Sequence, residues 1–235
     1  MVEQSLSYNL IMYHEQSSKP EYAGIGMTSE RTRNRLIDEL RGLGITNERV
    51  LGVMQQLPRH IFVDEALASR AYENTALPIG HGQTISQPYI VGLMTQTLLN
   101  KPRAKVLEIG TGCGYQTAVL APLCEKLISL ERVVKLHRQA RDRLYDMGVR
   151  NVLFRHGDGF AGMLENAPFD GILAAAVSTD VPQELTDQLA EGGRIVMPVG
   201  GGDSQVLMVI DKTSTGLARR EIEAVRFVPR LAGLS

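Results

Sequence analysis

Val106-Leu107-Glu108-Ile109-Gly110-Thr111-Gly112-Cys113-Gly114-Tyr115 decides the fold class of this 235-residue chain. An apolar run of strand length meets three alternating glycines, and a segment compatible with a helix follows at once. Glycine permits a tight turn and lets a ligand approach the backbone without a Cβ in the way, while a helix start presents unpaired N–H groups. A dinucleotide fingerprint requires its third glycine at position 115, where tyrosine stands. The loop is therefore GxGxG, a form that favours an adenosyl ligand lacking a pyrophosphate.

Toward the C-terminus, short apolar runs alternate with amphipathic stretches, the pattern of a parallel sheet with crossover helices. The expected strands are Lys105–Ile109, Lys126–Leu130, Asn151–Arg155, Phe169–Ala175, Arg194–Pro198, Gln205–Asp211 and one near Ile222–Val228. Val133, Leu136, Ala140 and Leu144 form a helical stripe ending near Gly148, and a helix before the fifth strand takes Asp180 as its cap, with Pro182, Leu185 and Leu189 following. Pro122 ends or kinks the helix after the glycine loop. No helix separates the last two strands, so they pair antiparallel.

Two further elements fall at strand ends. Glu131 lies 21 positions beyond Gly110, where a carboxylate can accept from both hydroxyls of a ribose, and Gly157-Asp158-Gly159 follows the third strand, where Asp158 can accept from an adenine amino group. Taken singly, Glu131 also reads as a solvated strand-end charge and Asp158 as an Asp-Gly turn. Three consecutive strand ends together read as a nucleoside site, since open α/β sheets bind ligands outside their carboxyl ends.

Toward the N-terminus, a helix starts at Thr28 or Ser29 with Leu36, Ile37, Leu40 and Leu43 on one face, and a second runs from Asn47 to Leu57 before Pro58. From Phe62 to Gly80 no regular period emerges, and this first third reads as a helical cap. In Gly82-Gln83-Thr84-Ile85-Ser86-Gln87-Pro88-Tyr89, Pro88 suits the first turn of a helix carrying Ile90, Val91, Met94, Leu98 and Leu99. Ser86 thus stands beside a helix start, either as its cap or near N–H groups that favour an anionic guest such as a carboxylate.

Composition sets the outer bounds. Twenty-five Lys+Arg against 26 Asp+Glu give a net charge of -1, with no electrostatic case for nonspecific binding to nucleic acid or an anionic membrane. The 43% hydrophobic content contains no signal-peptide core and no run long enough to span a bilayer. Cys113 and Cys124 supply neither a disulfide framework nor metal-ligand spacing with His14, His60, His81, His137 or His156, so we expect a cytoplasmic protein without a metal.

The succession of GxGxG, strand-end acid and strand-end Asp resembles the class I S-adenosylmethionine-dependent methyltransferases. Gly82-Gln83-Thr84-Ile85-Ser86-Gln87-Pro88 further resembles the signature of the bacterial protein-L-isoaspartate O-methyltransferase family. The likeness runs from about Met27 to the end and includes Phe62-Val63-Asp64-Glu65, Leu77-Pro78-Ile79-Gly80, Gly114-Tyr115-Gln116-Thr117, Pro198-Val199-Gly200 and Val225-Arg226-Phe227-Val228-Pro229. It implies a Rossmann-like doubly wound, mostly parallel sheet with an antiparallel C-terminal strand pair and an N-terminal helical cap. Residues 27–235 would form one methyltransferase domain, with cap and substrate lip in 27–100 and the cofactor-binding core in 101–235. Residues 1–26 would be an arm or extension.

The same resemblance implies methyl transfer from S-adenosylmethionine, leaving S-adenosylhomocysteine, to the free α-carboxyl of L-isoaspartyl residues in damaged proteins. Ser86 would be catalytic, with Thr84 and Ile85 beside it in substrate binding. Gly110, Thr111, Gly112, Gly114, Glu131, Asp158 and Gly159 would hold the cofactor. Cys113 stands where serine is usual and reads as a packing residue. Phe160 and Ala174-Ala175-Ala176-Val177 also depart from the family pattern. Other classes remain for comparison: a methyltransferase for small molecules or nucleic acid, the nucleobase amino-methylating kind being disfavoured because no Asn/Asp-Pro-Pro-aromatic loop follows Ala175; an NAD-dependent oxidoreductase, disfavoured by Tyr115; and a binding protein without turnover.

Overall fold

A computed structural model describes residues 24–202, 204–227 and 233–234. The expected arm, His14, Val228 and Pro229 fall wholly or mostly outside these described residues. The central sheet has seven strands in the order β5-β4-β3-β6-β7-β8-β9. They are β3 (Lys105–Ile109), β4 (Lys126–Glu131), β5 (Val152–His156), β6 (Phe169–Ala174), β7 (Leu189–Gly201), β8 (Ser204–Thr213) and β9 (Gly216–Ala224). Strands β5 through β7 are mutually parallel, and β8 and β9 turn back antiparallel. The chain reverses its winding at β3, so the carboxyl ends of β3, β4 and β6 open on one crevice.

Period-two alternation accounts for the two cores, because successive side chains point to opposite faces of a strand. Val106, Leu127, Leu173 and Val196 join the core on one face, while Leu107, Ile128, Ile172 and Ile195 join that on the other. Both faces are covered, which is why these strands read as unbroken apolar runs. On the first face lie α1 (Glu30–Gly42), α2 (Glu48–Gln56) and α3 (Pro88–Leu98), whose Leu40, Leu51 and Leu98 are buried in that core. Asn47 caps α2 through its side-chain oxygen, which accepts from the Arg49 and Val50 N–H groups.

The remaining helices are α4 (Tyr115–Leu120), α5 (Val134–Asp146) and α6 (Gln183–Asp187). After α4 the chain tightens into a 3-10 turn at Ala121–Leu123 containing Pro122, as the proline requires. Three expectations are corrected here. The cap is not helical throughout, because β1 (Leu77–Gly80) and β2 (Gln83–Ile85) form an antiparallel hairpin turned by His81 and Gly82, both at positive φ. Helix α6 takes Pro182 as its N-cap, while the Asp180 carboxylate accepts from the adjacent Val181 N–H, and Leu189 opens β7. The last strand lies at Gly216–Ala224 rather than near Ile222–Val228.

Two buried arginines fasten α3 to the sheet. Arg103 donates to the carbonyls of Leu98, Asp170 and Gly192, and Arg194 donates to the Thr97 carbonyl while pairing with both Asp211 oxygens at 2.7 Å. The guanidinium holds the Asp211 carboxyl below its ordinary range. Its contribution to stability is accordingly present above that range and lost as the pH falls through the depressed value. Asp211→Asn should cost about 1–2 kcal/mol at pH 7, because Arg194 keeps its burial and loses its counter-charge. Chemical denaturation of both proteins at pH 7 and at pH 3 checks this, with the difference shrinking at the lower pH.

Candidate active site

The glycine loop is pinned to β4 along its length. The N–H groups of Gly110 and Thr111 donate to the Leu130 carbonyl, at 2.8 and 3.2 Å, and the Gly112 N–H donates to Glu131 Oε2 at 2.8 Å. Glu131 Oε1 accepts from the Val133 N–H at 2.9 Å, and the residue is 5% exposed, so it is no solvated strand-end charge. Gly110, Gly112 and Gly114 all take positive φ, a region that L side chains rarely adopt. At Gly114 a Cβ would also crowd Leu144 Cδ1 at 2.6 Å and Ala140 Cβ at 3.2 Å on α5, adding to the strain of its positive φ.

Below the loop lies a buried polar network. Ser129 and Thr117 both donate to Glu108 Oε2 at 2.6 Å, and Ser129 shares a further 2.6 Å hydrogen bond with the Thr111 hydroxyl. Burial pushes the Glu108 carboxyl up to about 7, against the two hydroxyls that favour its charged form. From the sequence, Glu108 reads only as part of an apolar strand. Its side chain instead couples β3, β4, α4 and the loop, and the signal in the sequence is a polar residue inside each of two apolar strands, Glu108 in β3 and Ser129 in β4.

One cavity of about 780 Å³ opens above the loop. Its walls include Gly110, Thr111, Gly112 and Glu131, with Gly157 and Gly159 from the end of β5 and Ala175 and Ala176 from the end of β6. Glycine at 159 is enforced, since a Cβ would collide with Ile109 Cγ2. The opposite wall is made by Thr84, Ile85 and Ser86 with Tyr89 of α3, and by Glu223 to Phe227. Asp158 stands between two wall glycines, where its Oδ2 accepts from the Gly233 N–H at 2.7 Å. The side chain of Phe160 lies outside the described set.

Ser86 is not the helix cap. Gln87 takes that position, Pro88 is the first helical residue, and no side chain caps the helix. The anion-attracting capacity of this helix start is also reduced, because Pro88 has no N–H and that of Tyr89 donates to Asn74 Oδ1. The half-buried Ser86 lines the cavity, and its carbonyl accepts from the buried Arg59 at 2.8 Å. On the same wall, Tyr89 Oη donates to Glu223 Oε2 at 2.8 Å. Burial and that carboxylate push the phenol up to about 12, so it stays protonated at neutral pH. Neither Arg59 nor this pair was singled out from the sequence.

Cys113 is buried, and burial raises its thiol despite Arg59 and Arg143 nearby, which fits packing rather than reactivity. His81 is exposed on the hairpin turn, and the His137 and His156 rings lie 6.0 Å apart. Among the described residues no cluster of three or more His, Cys, Asp or Glu side chains could hold a metal ion, and no helix is long and apolar enough to cross a membrane.

The sheet order, the glycine cradle after β3 and the acid that ends β4 define a Rossmann-like methyltransferase core. The chain belongs to the protein-L-isoaspartate(D-aspartate) O-methyltransferase family, whose model matches residues 31–234. It is 55% identical over 216 residues to a protein-L-isoaspartate O-methyltransferase of Alcanivorax borkumensis, covering 91% of this chain and 98% of that protein. A protein of the same name from Pseudomonas syringae pv. tomato is 58% identical over 208 residues, 88% of this chain and 99% of the relative. Among solved structures, a protein-L-isoaspartate O-methyltransferase superposes with a TM-score of 0.77 at 27% identity, over 86% of this chain and 67% of that one. A Plasmodium falciparum structure, described as a putative member in complex with S-adenosyl-L-homocysteine, gives 0.73 at 27% identity, over 84% and 97% of the two chains.

The elevated Glu108 carboxyl has a consequence for stability. The folded state holds a proton that the unfolded chain releases near the ordinary carboxyl range, so stability falls as pH rises from about 4.5 and levels off above about 7. Glu108→Gln removes that dependence while keeping an acceptor for Ser129 and Thr117. Denaturation midpoints from pH 5 to pH 8 should decline in the parent protein and stay nearly flat in the variant.

Proposed function

We propose that the chain transfers methyl from S-adenosylmethionine to the α-carboxyl of L-isoaspartyl residues, with Ser86 orienting the attacking carboxylate. The observation that carries this reading is that Thr84, Ile85 and Ser86 share one cavity with the glycine loop and Glu131. A nucleoside fits the cradle, because the positive-φ glycines leave no Cβ over the loop and Glu131 offers its carboxylate beside them. Gly110, Thr111 and Gly112 would hold the amino-acid portion, Glu131 the ribose hydroxyls, and Asp158 and Gly159 the adenine, with Gly114 fixing the loop from behind. When bound, the cosubstrate supplies an electrophilic methyl on a sulfonium sulfur.

The remaining work falls to positioning. An isoaspartyl α-carboxyl is already anionic at neutral pH, so its oxygen can attack without a general base. Ser86 Oγ donates a hydrogen bond to one carboxylate oxygen and leaves the other aimed along the cavity toward the loop. Restricting the approach to one line supplies several kcal/mol of barrier lowering. Thr84 and Ile85 extend the same wall along the peptide. Methylation turns the carboxylate into an ester that can expel methoxide, so the neighbouring amide nitrogen attacks its carbonyl, methanol departs with the amide proton, and hydrolysis of the resulting succinimide returns some normal aspartate.

We treat residues 27–235 as one catalytic unit that works without a metal, on damaged proteins and peptides rather than nucleic acid or membranes. A cytoplasmic setting suits two buried, unbridged cysteines.

Transfer of labelled methyl to two peptides identical except for L-isoaspartate or L-aspartate tests the reading. Base-labile label on the isoaspartyl peptide alone is expected, and label on neither would refute it. Ser86→Ala should lower kcat by about 10-fold or more, since a hydrogen bond to a charged group is worth about 1.5–3 kcal/mol, and leave S-adenosylhomocysteine binding intact. Glu131→Ala should show the converse, weakening S-adenosylhomocysteine by about 10- to 100-fold in calorimetric titration.

A further inference from the structure

Arg59 is 0% exposed and lies directly behind Ser86. Its Nε donates to the Ala71 carbonyl at 2.9 Å and its Nη2 to the Ser86 carbonyl at 2.8 Å, with the Tyr115 ring 4.6 Å from the guanidinium carbon. All of these partners are neutral. No ion pair among the described residues includes Arg59, and its electrostatic neighbours are Tyr115, Cys113 and Tyr72, with no carboxylate among them. Burial disfavours its charge, yet a guanidinium stays protonated in proteins. An uncompensated buried cation is costly, and the low dielectric that makes it costly also carries its field to any neighbouring cavity.

That neighbouring cavity is the active site, since Ser86, Cys113 and Tyr115, which surround the guanidinium, all line it. The start of α3 attracts an anion less than an open helix end would, because Pro88 has no N–H and that of Tyr89 is taken by Asn74 Oδ1. We infer that Arg59 is a positioning residue with two duties: it fixes the peptide unit of Ser86, and its charge lacks a counter-ion until the substrate carboxylate takes that place. The inference rests on the methyl transfer proposed above and adds the source of its preference for a charged acceptor. Methylation neutralises the carboxylate and so removes the attraction, which favours release of the ester.

The test compares binding of two peptides to the protein loaded with S-adenosylhomocysteine: an L-isoaspartyl peptide and the same peptide with its α-carboxyl converted to carboxamide. The parent protein should bind the acid about 10-fold or more tightly than the amide, as expected for one charge acting across a partly buried gap. Arg59→Met and Arg59→Gln should collapse that ratio toward unity, while Arg59→Lys, which keeps the charge, should retain most of it with a lower kcat. A scaffold role alone would weaken acid and amide together and leave the ratio unchanged in the neutral variants, which would overturn the inference. If neither neutral variant folds, the decision passes to the parent protein and Arg59→Lys, where absence of any acid preference overturns it. A parent protein that methylates no isoaspartyl peptide would refute the underlying reading, whereas one that does so while its ratio survives Arg59→Met would refute only the role of Arg59.

Discussion

The strap between β3 and β4 is the constraint on which the site depends. Three consecutive loop N–H groups, from Gly110, Thr111 and Gly112, are committed to the Leu130 carbonyl and the Glu131 carboxylate, while Thr111, Ser129, Thr117 and Glu108 tie the same elements from beneath. A glycine loop is conformationally permissive and would ordinarily lose much entropy on ordering. Here its geometry is fixed by the sheet beneath it, so the cradle exists before any ligand arrives. Preorganisation of this kind favours tight binding, because the ordering cost has been met in folding.

The two halves of the cavity are built by different physics. The cofactor wall comes from strand ends in a buried parallel sheet and is defined by backbone and carboxylates. The substrate wall is assembled from the hairpin β1–β2, the start of α3 and the segment after β9, and its connections run across long sequence separations, as in Tyr89 to Glu223 and Arg59 to Ser86. These are single side-chain hydrogen bonds, the first to another side chain and the second to a backbone carbonyl, rather than ladders.

The same division explains what could be read beforehand. Strands β3, β4 and β6 were legible nearly to the residue, because both faces are buried and the apolar runs are unbroken. Strand β9 was displaced in the expectation because it is an edge strand with Arg219, Arg220 and Glu221 exposed, so its paired portion carries no apolar signal. The hairpin β1–β2 escaped notice because its arms are four and three residues long and its turn uses His81-Gly82 in place of the usual Asn-Gly. Glu131 stood in a recognisable setting at a strand end 21 positions beyond Gly110, and Ser86 two residues before Pro88. Arg59 did not, since arginine is ordinarily a surface residue and nothing in its local sequence signals complete burial.

Helix α3 carries the acceptor wall at one end and is bolted at the other by Arg103 and Arg194, which hold the Leu98 and Thr97 carbonyls against β6 and β7. The cap is therefore not a lid that hinges on a loop. Releasing it means exposing two buried guanidiniums and the first-face core together, so the part of the molecule that greets a damaged protein belongs to the same cooperative unit as the sheet. An enzyme built this way must find its substrates already unfolded enough to enter, and its selectivity for damage would then depend as much on how loosely the injured segment is held in its own protein as on the chemistry of the lesion.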